Sequence, residues 1–155
     1  MASALRVYRL AASRYDATVL SGEGGLVTAG RWHRAGRRVI YTATSEALAV
    51  LELRVHLGPL RPLAPFTLTE IELPDAAVDR IALQALGRGW SGGLGSALTQ
   101  DVGDAWIAAG LSLALRVPSV HSASDANVLV NPQHADARRL RVIEQRRYVF
   151  DPRLF

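Results

Sequence analysis

Most of the side chains that could do chemistry lie in one stretch, from Gly30 to His56. It runs Gly30-Arg31-Trp32-His33-Arg34-Ala35-Gly36-Arg37-Arg38-Val39-Ile40-Tyr41, passes through Thr42-Ala43-Thr44-Ser45, and enters an apolar run that carries Glu52 and His56. Arg31 beside Gly30 suits an anion, because glycine lets the backbone approach closely and the planar guanidinium takes a phosphate. Tyr41 offers an aromatic platform for a ring, and Glu52 supplies an isolated carboxylate. Such a set would hold an anionic substrate that bears an aromatic ring and stabilise a cation made from it. Each group also has a plainer reading: Arg31 as a surface arginine in a turn, Tyr41 as a core tyrosine, Glu52 as half of an ion pair with an arginine. Arg34, Arg37 and Arg38 are weaker candidates, since alternation turns at least one of them to solvent.

The elements that must position these groups can be read from periodicity. Leu5 to Leu10 alternates as a first strand, and Arg38 to Thr42 reads as a second through its β-branched and aromatic content. Ser21 to Gly25 reads as a flexible loop, and Gly30 and Gly36 bracket another. Ser45 to Leu57 reads as a helix capped by Thr44 or Ser45, with Glu46 in its first turn and Gly58-Pro59 as its stop. Leu48, Val50, Leu51, Leu53 and Val55 make it apolar on nearly every side, the pattern of a buried helix. A carboxylate there needs a partner, and the arginines just upstream are the expected one. His56 falls one turn after Glu52 on the same face.

Phe66 to Leu73 reads as a third strand whose apolar phase slips between Leu68 and Ile71, which suggests a bulge. Pro74-Asp75 opens a short irregular or helical piece. Gly87 to Gly95 is a glycine-rich loop around Trp90, and Ser96 to Ala109 a second helix ended by Gly110. Leu113 to Val117 and Val128 to Val130 read as short strands, Arg139 to Glu144 as an edge-type strand, and Tyr148-Val149-Phe150 as the closing apolar run. Several short strands with two clear helices define a single α+β domain over residues 1–155, with mostly antiparallel or mixed pairing.

Composition narrows the function classes. With 49% hydrophobic and 21% charged residues the chain is globular. It has no cysteine, so disulfides, thiolate metal sites and a cysteine nucleophile are excluded. All 18 basic residues are arginine and the net charge is +4, which keeps open a non-enzymatic nucleic-acid-binding module. Against that, the arginines are scattered, aromatic residues make up only 6%, and no nucleic-acid motif is present. No apolar run approaches the roughly 20 residues of a membrane span, and Met1 to Arg6 lacks a signal-peptide core, so a cytoplasmic protein is expected.

Other constellations are weak. No His-Glu-x-x-His pattern or third ligand accompanies Glu52 and His56, so no metal site is expected. His33, His121 and His134 sit in polar stretches and read as surface residues. Ser119 is not in a Gly-x-Ser-x-Gly elbow, and the glycines from Gly22 to Gly25 lack a dinucleotide or P-loop pattern.

An ordered set of short matches along the chain resembles the RES-domain family, the toxin half of bacterial RES–Xre toxin–antitoxin pairs. It comprises Tyr8-Arg9-Leu10, Gly30-Arg31-Trp32 with Gly36, Val39-Ile40-Tyr41-Thr42, Glu52 and His56. It continues through Trp90, Gly103-Asp104 with Trp106, Val117-Pro118-Ser119, Asn127-Val128-Leu129 before Asn131-Pro132, and Phe150-Asp151-Pro152-Arg153. The resemblance implies a fold similar to the ADP-ribosyltransferase core of diphtheria-toxin-like enzymes. It implies NAD+ as substrate, cleaved by hydrolysis or phosphorolysis or used to transfer ADP-ribose to a protein. It makes Arg31, Tyr41 and Glu52 the catalytic set, with Gly30, His56, Ser119 and Asn127 completing the NAD+ contacts and no metal. Arg31 would bind the pyrophosphate or adjacent ribose, Tyr41 would stack on nicotinamide, Glu52 would stabilise the ribosyl cation, and Ser119 would bond the nicotinamide amide or a ribose. His33 departs from the small polar residue of many relatives. The implied partner is an Xre-type helix-turn-helix antitoxin, held in a hetero-oligomeric complex.

Overall fold

A computed structural model of the chain describes residues 2–92 and 97–155. It is built on one seven-stranded sheet with β1 (Ala4–Ala12), β2 (Ile40–Ala43), β3 (Phe66–Pro74), β4 (Val78–Arg80), β5 (Ala114–Pro118), β6 (Ala126–Val130) and β7 (Arg141–Tyr148) in the order β4-β5-β6-β2-β1-β3-β7. Only β4 and β5 pair in parallel; the other neighbours are antiparallel. The α-helices among the described residues are α1 (Gly24–Val27), α2 (Glu46–Leu57) and α3 (Ala97–Ala109), and short 3-10 turns occur elsewhere along the chain. This is the mixed-sheet α+β architecture expected. No helix among the described residues is long and apolar enough to cross a membrane.

The bulge suggested by the phase slip between Leu68 and Ile71 is present as a register shift at Glu70/Ile71, on the side of β3 that pairs with β7. The pairing of β3 with β1 is unbroken from Ala4↔Pro74 to Ala12↔Phe66. Leu68, opposite Leu10, serves one face, and Ile71, opposite Val7, serves the other. The strand therefore feeds two cores. Across the shift, Glu70 faces Glu144 and Ile71 faces Val142.

One sheet face buries Val7, Ile40, Ile71, Leu73, Val128 and Val130 in a continuous core. The opposite face is divided between two covers. Leu10, Ala43 and Leu68 lie under Leu48 and Ala49 of α2, and Leu115, Val117 and Leu129 lie under Trp32, Leu86 and α3 residues Val102, Trp106 and Ile107. Register puts Tyr41 (opposite Leu129) and Asn127 (opposite Ala43 and Val117) on that divided face.

Several boundaries differ from the sequence reading. β2 begins at Ile40 rather than Arg38, and Gly24–Val27 form a helical turn where a loop was expected. A 3-10 turn occupies Ala135–Arg139, so the last strand starts at Arg141 and runs on to Tyr148, at the edge of the sheet as expected. β4 had no signal in the sequence. Gly93 to Ser96, the end of the expected glycine-rich loop and the first residue of the expected helix, lie outside the described residues.

The largest correction concerns α2. Ser45 caps it as expected, its Oγ accepting from the Leu48 N–H at 3.1 Å. Only Leu48 and Ala49 are buried, however, and Leu51 and Val55 are 41% and 52% exposed. The sheet covers one side of the helix alone. Its outer side, with Ala47, Val50, Leu51, Tyr148 and Leu154, borders an open groove of about 540 Å³. Beyond β7, the chain folds back so that Phe150 packs edge-on against Phe66 and Phe155.

Candidate active site

The segment carrying Arg31 has little regular structure, yet its backbone is held at nearly every residue. The Gly30 N–H donates to the His33 carbonyl at 3.0 Å. One face of α3 grips the rest: Thr99 Oγ1 donates to the Arg31 carbonyl at 2.7 Å, Gln100 Nε2 to the Gly30 carbonyl at 3.2 Å, and the Arg34 N–H to Asp104 Oδ1 at 3.1 Å. Gly103 lies against Trp32 so closely that an added Cβ would stand 1.6 Å from the Trp32 carbonyl oxygen. Arg34 and Arg37 pair with Asp104, and Arg34 also with Asp101, while Arg38 donates to the Ser21 carbonyl. These three arginines are thus braces for the segment. Arg31 donates to the Trp90 carbonyl at 2.9 Å and reaches the Gly92 carbonyl at 3.5 Å.

Tyr41 is anchored at its hydroxyl. The Trp32 N–H donates to it at 3.2 Å, and His33 Nδ1 lies 2.7 Å away. The other ring nitrogen of His33 faces the Gly25 carbonyl at 3.3 Å. A carbonyl can only accept, so Nε2 carries the proton and Nδ1 receives the one from tyrosine. Burial pushes the Tyr41 phenol well above its ordinary value, and the Trp32 N–H and the Arg31 charge only partly oppose this. Burial likewise lowers His33, against the pull of the Gly25 and Thr28 carbonyls and the Asp104 charge. His33 is not the surface residue expected: it is 2% exposed. Gly30 also has an internal reason to be glycine, since a Cβ there would meet the Tyr41 hydroxyl at 2.5 Å.

Glu52 projects from α2 toward the end of β5. Ser119 Oγ donates to its Oε1 at 3.2 Å and accepts from the His121 N–H at 3.0 Å. His121 Nε2 stands 3.8 Å from Oε2. The expectation that an upstream arginine would partner a buried Glu52 is therefore overturned. Its side chain is 34% exposed, and its partners are a serine and a histidine from a distant loop. The half-open helix explains the difference, because a carboxylate reached by water needs no arginine.

The structure joins Ser119 to Glu52 directly and sets Tyr41 and Asn127 on the sheet face that α2 and α3 cover. Asn127 Nδ2 donates to the Thr42 carbonyl at 3.3 Å. His56 is exposed and makes no hydrogen bond or ion pair among the described residues, so the structure does not draw it to Glu52. No group of His, Asp and Glu among the described residues is arranged to hold a metal ion. Sequence reading missed His121 and the gripping face of α3. Thr99, Gln100, Gly103 and Asp104 do carry a signal, since their spacing places four small or polar residues on one helical face.

Comparison with known proteins gives the same picture of relationship. The RES domain family matches residues 6–151. A protein named Toxin Res from Photorhabdus laumondii is 34% identical over 149 residues, covering 96% of each chain. A Toxin Res from Pseudomonas putida is 43% identical over 138 residues, 88% of this chain and 92% of its own. A Prs ADP-ribosylating toxin from Sphingobium sp. is 36% identical over 148 residues, 92% of this chain and 91% of its own. The fold is similar to that in the M. tuberculosis MbcT–MbcA toxin–antitoxin complex, with a TM-score of 0.74 at 22% identity over 96% of this chain and 86% of that one.

Proposed function

The chain belongs to the RES-domain family, and from that premise we propose that it is a toxin enzyme that cleaves the nicotinamide–ribose bond of NAD+. The relative named as an ADP-ribosylating toxin supports NAD+ as the substrate. The observation that carries the reading is the Ser119–Glu52 hydrogen bond. It fixes a carboxylate of α2, still reached by water, against the loop that follows β5. Cleavage passes through an oxocarbenium-like transition state, as in glycoside hydrolysis, and a fixed carboxylate beside the ribose stabilises that cation. Nicotinamide leaves as a neutral ring once its nitrogen takes the bonding pair, so no strong acid is needed. Arg31 holds the pyrophosphate or its ribose, Tyr41 faces the nicotinamide ring, and Gly30, His56, Ser119 and Asn127 complete the contacts. ADP-ribose passes to a protein, water or phosphate.

A cytoplasmic Xre-type helix-turn-helix antitoxin is the proposed partner, covering this site in a hetero-oligomeric complex; the toxin–antitoxin complex of similar fold supports an antitoxin. Purified protein is incubated with NAD+ in water, with phosphate and with lysate protein, and nicotinamide is measured. Release that falls by roughly 100- to 1,000-fold in Glu52→Gln is expected; no release under any of the three conditions rejects the reading.

A further inference from the structure

The half of the reaction that follows nicotinamide departure asks for a group that the catalytic set above does not contain. When the N-glycosidic bond breaks, its electron pair stays on the nicotinamide nitrogen and C1′ of the ribose becomes cationic. A neutral acceptor, water or a protein hydroxyl or amine, then forms a bond to C1′ and must release a proton. An anionic acceptor such as phosphate dianion or azide attacks through an unprotonated atom and need release none.

Glu52 is poorly placed to take that proton while it also steadies the ribosyl cation. Its Oε1 already accepts from Ser119. The group beside its other oxygen is His121, with Nε2 3.8 Å from Oε2. His121 is fixed through its own backbone, whose N–H donates to Ser119 Oγ at 3.0 Å, so one serine holds both the carboxylate and the imidazole loop. The imidazole makes no hydrogen bond to another side chain among the described residues, and at 27% side-chain exposure it can pass a proton to water. The carboxylate on the next turn of this loop, Asp125, is engaged instead by Ser45 at 2.7 Å and Thr44 at 3.4 Å.

We propose that His121 is the base that takes the proton of the acceptor, and that the site is therefore built for a neutral, protic acceptor rather than an anionic one. The inference rests on the NAD+-cleaving reading above. As the acceptor oxygen or nitrogen bonds to C1′, its proton moves to His121 Nε2 and from there to solvent. A positioned imidazole is the side chain most often used as a general base in such a transfer.

The test compares wild-type protein, His121→Gln and His121→Ala, each checked for folding by thermal melting. Nicotinamide and ADP-ribosyl products are measured with NAD+ in water, in water with methanol, and with azide or phosphate added. His121→Gln is expected to lose about 100-fold in transfer to water and methanol, with KM for NAD+ within about twofold of wild type if binding is untouched. Azide should restore nicotinamide release in both variants and give the azide adduct, and added imidazole should partly restore hydrolysis by His121→Ala. A His121→Gln variant that hydrolyses NAD+ at the wild-type rate overturns the inference and leaves the NAD+ reading standing. So does a folded variant whose loss is equal with water and azide, which would assign His121 to steering Glu52. A wild-type protein that releases no nicotinamide with any acceptor removes both.

Discussion

The hydroxyl of Tyr41 lies 2.7 Å from Nδ1 of His33, and the Trp32 N–H reaches the same oxygen at 3.2 Å. Both polar partners are shut away from water by the Trp32 and His33 side chains, each 2% exposed. Tyr41→Phe strands a buried ring nitrogen and a backbone N–H, and each unsatisfied group costs on the order of 1–3 kcal/mol. The variant should fold but unfold at lower urea, with an unchanged m-value. An unchanged urea midpoint would show that the network contributes nothing to stability.

His33 should also set an acid limit on stability. Burial holds its folded pKa below the ordinary value. In the unfolded chain it protonates near pH 6.5. The unfolded state therefore binds the proton first as pH falls, and the stabilisation present above about pH 6.5 is lost toward the folded pKa, by at most about 1.4 kcal/mol per pH unit. The difference in unfolding free energy between pH 7.5 and pH 5.5 should accordingly shrink in His33→Gln. Identical pH dependence in the two proteins would place His33 in contact with water.

How much of this was legible in the sequence follows from the reach of each interaction. Ser45 as cap, Gly58 as stop and the alternation of β1 are local, and they were readable because neighbouring residues decide them. Tyr41, Glu52 and Ser119 stood out only by type or by resemblance, since the Ser119–Glu52 contact spans 67 positions. The burial of α2 was misjudged for the same reason. Its composition is apolar all round, but how many sides are covered depends on a sheet whose strands come from both ends of the chain. The role of Arg34 and Arg37 was hidden because their partner Asp104 is on α3, and charge pairing across such a distance leaves no periodic trace. His121 looked like a loop histidine because the carboxylate beside it belongs to another element.

Gly103 is where α3 meets the segment that carries Arg31. Replacing it with alanine puts a methyl 1.6 Å from a backbone oxygen that cannot rotate aside. Helix and segment must separate, and overpacking of this kind costs roughly 1–3 kcal/mol or somewhat more. The alanine's better helix propensity, worth about 1 kcal/mol, opposes only part of that. Gly103→Ala should lower the melting temperature and weaken activity together, because Thr99 and Gln100 hold the Arg31 and Gly30 carbonyls from the same helix. A variant with wild-type melting and wild-type nicotinamide release would mean that this contact can relax without moving the site.

Ser119 separates two accounts of how substrate is held. Its Oγ donates to Glu52 Oε1 and accepts from the His121 N–H, so its fixed geometry is directed at the carboxylate. If its task is to aim Glu52 at the ribosyl cation, Ser119→Ala removes a hydrogen bond to a charged group, worth about 1.5–3 kcal/mol. The loss then falls on the transition state, so kcat should drop by roughly 10- to 100-fold with KM for NAD+ little changed. If Ser119 instead binds the nicotinamide amide or a ribose hydroxyl equally in ground and transition states, KM rises and kcat is kept. Steady-state kinetics of Ser119→Ala beside Glu52→Gln decides this, and the double variant adds a second reading. A serine that acts through Glu52 should add little once the carboxylate is gone, whereas one that acts on substrate alone should add its full effect.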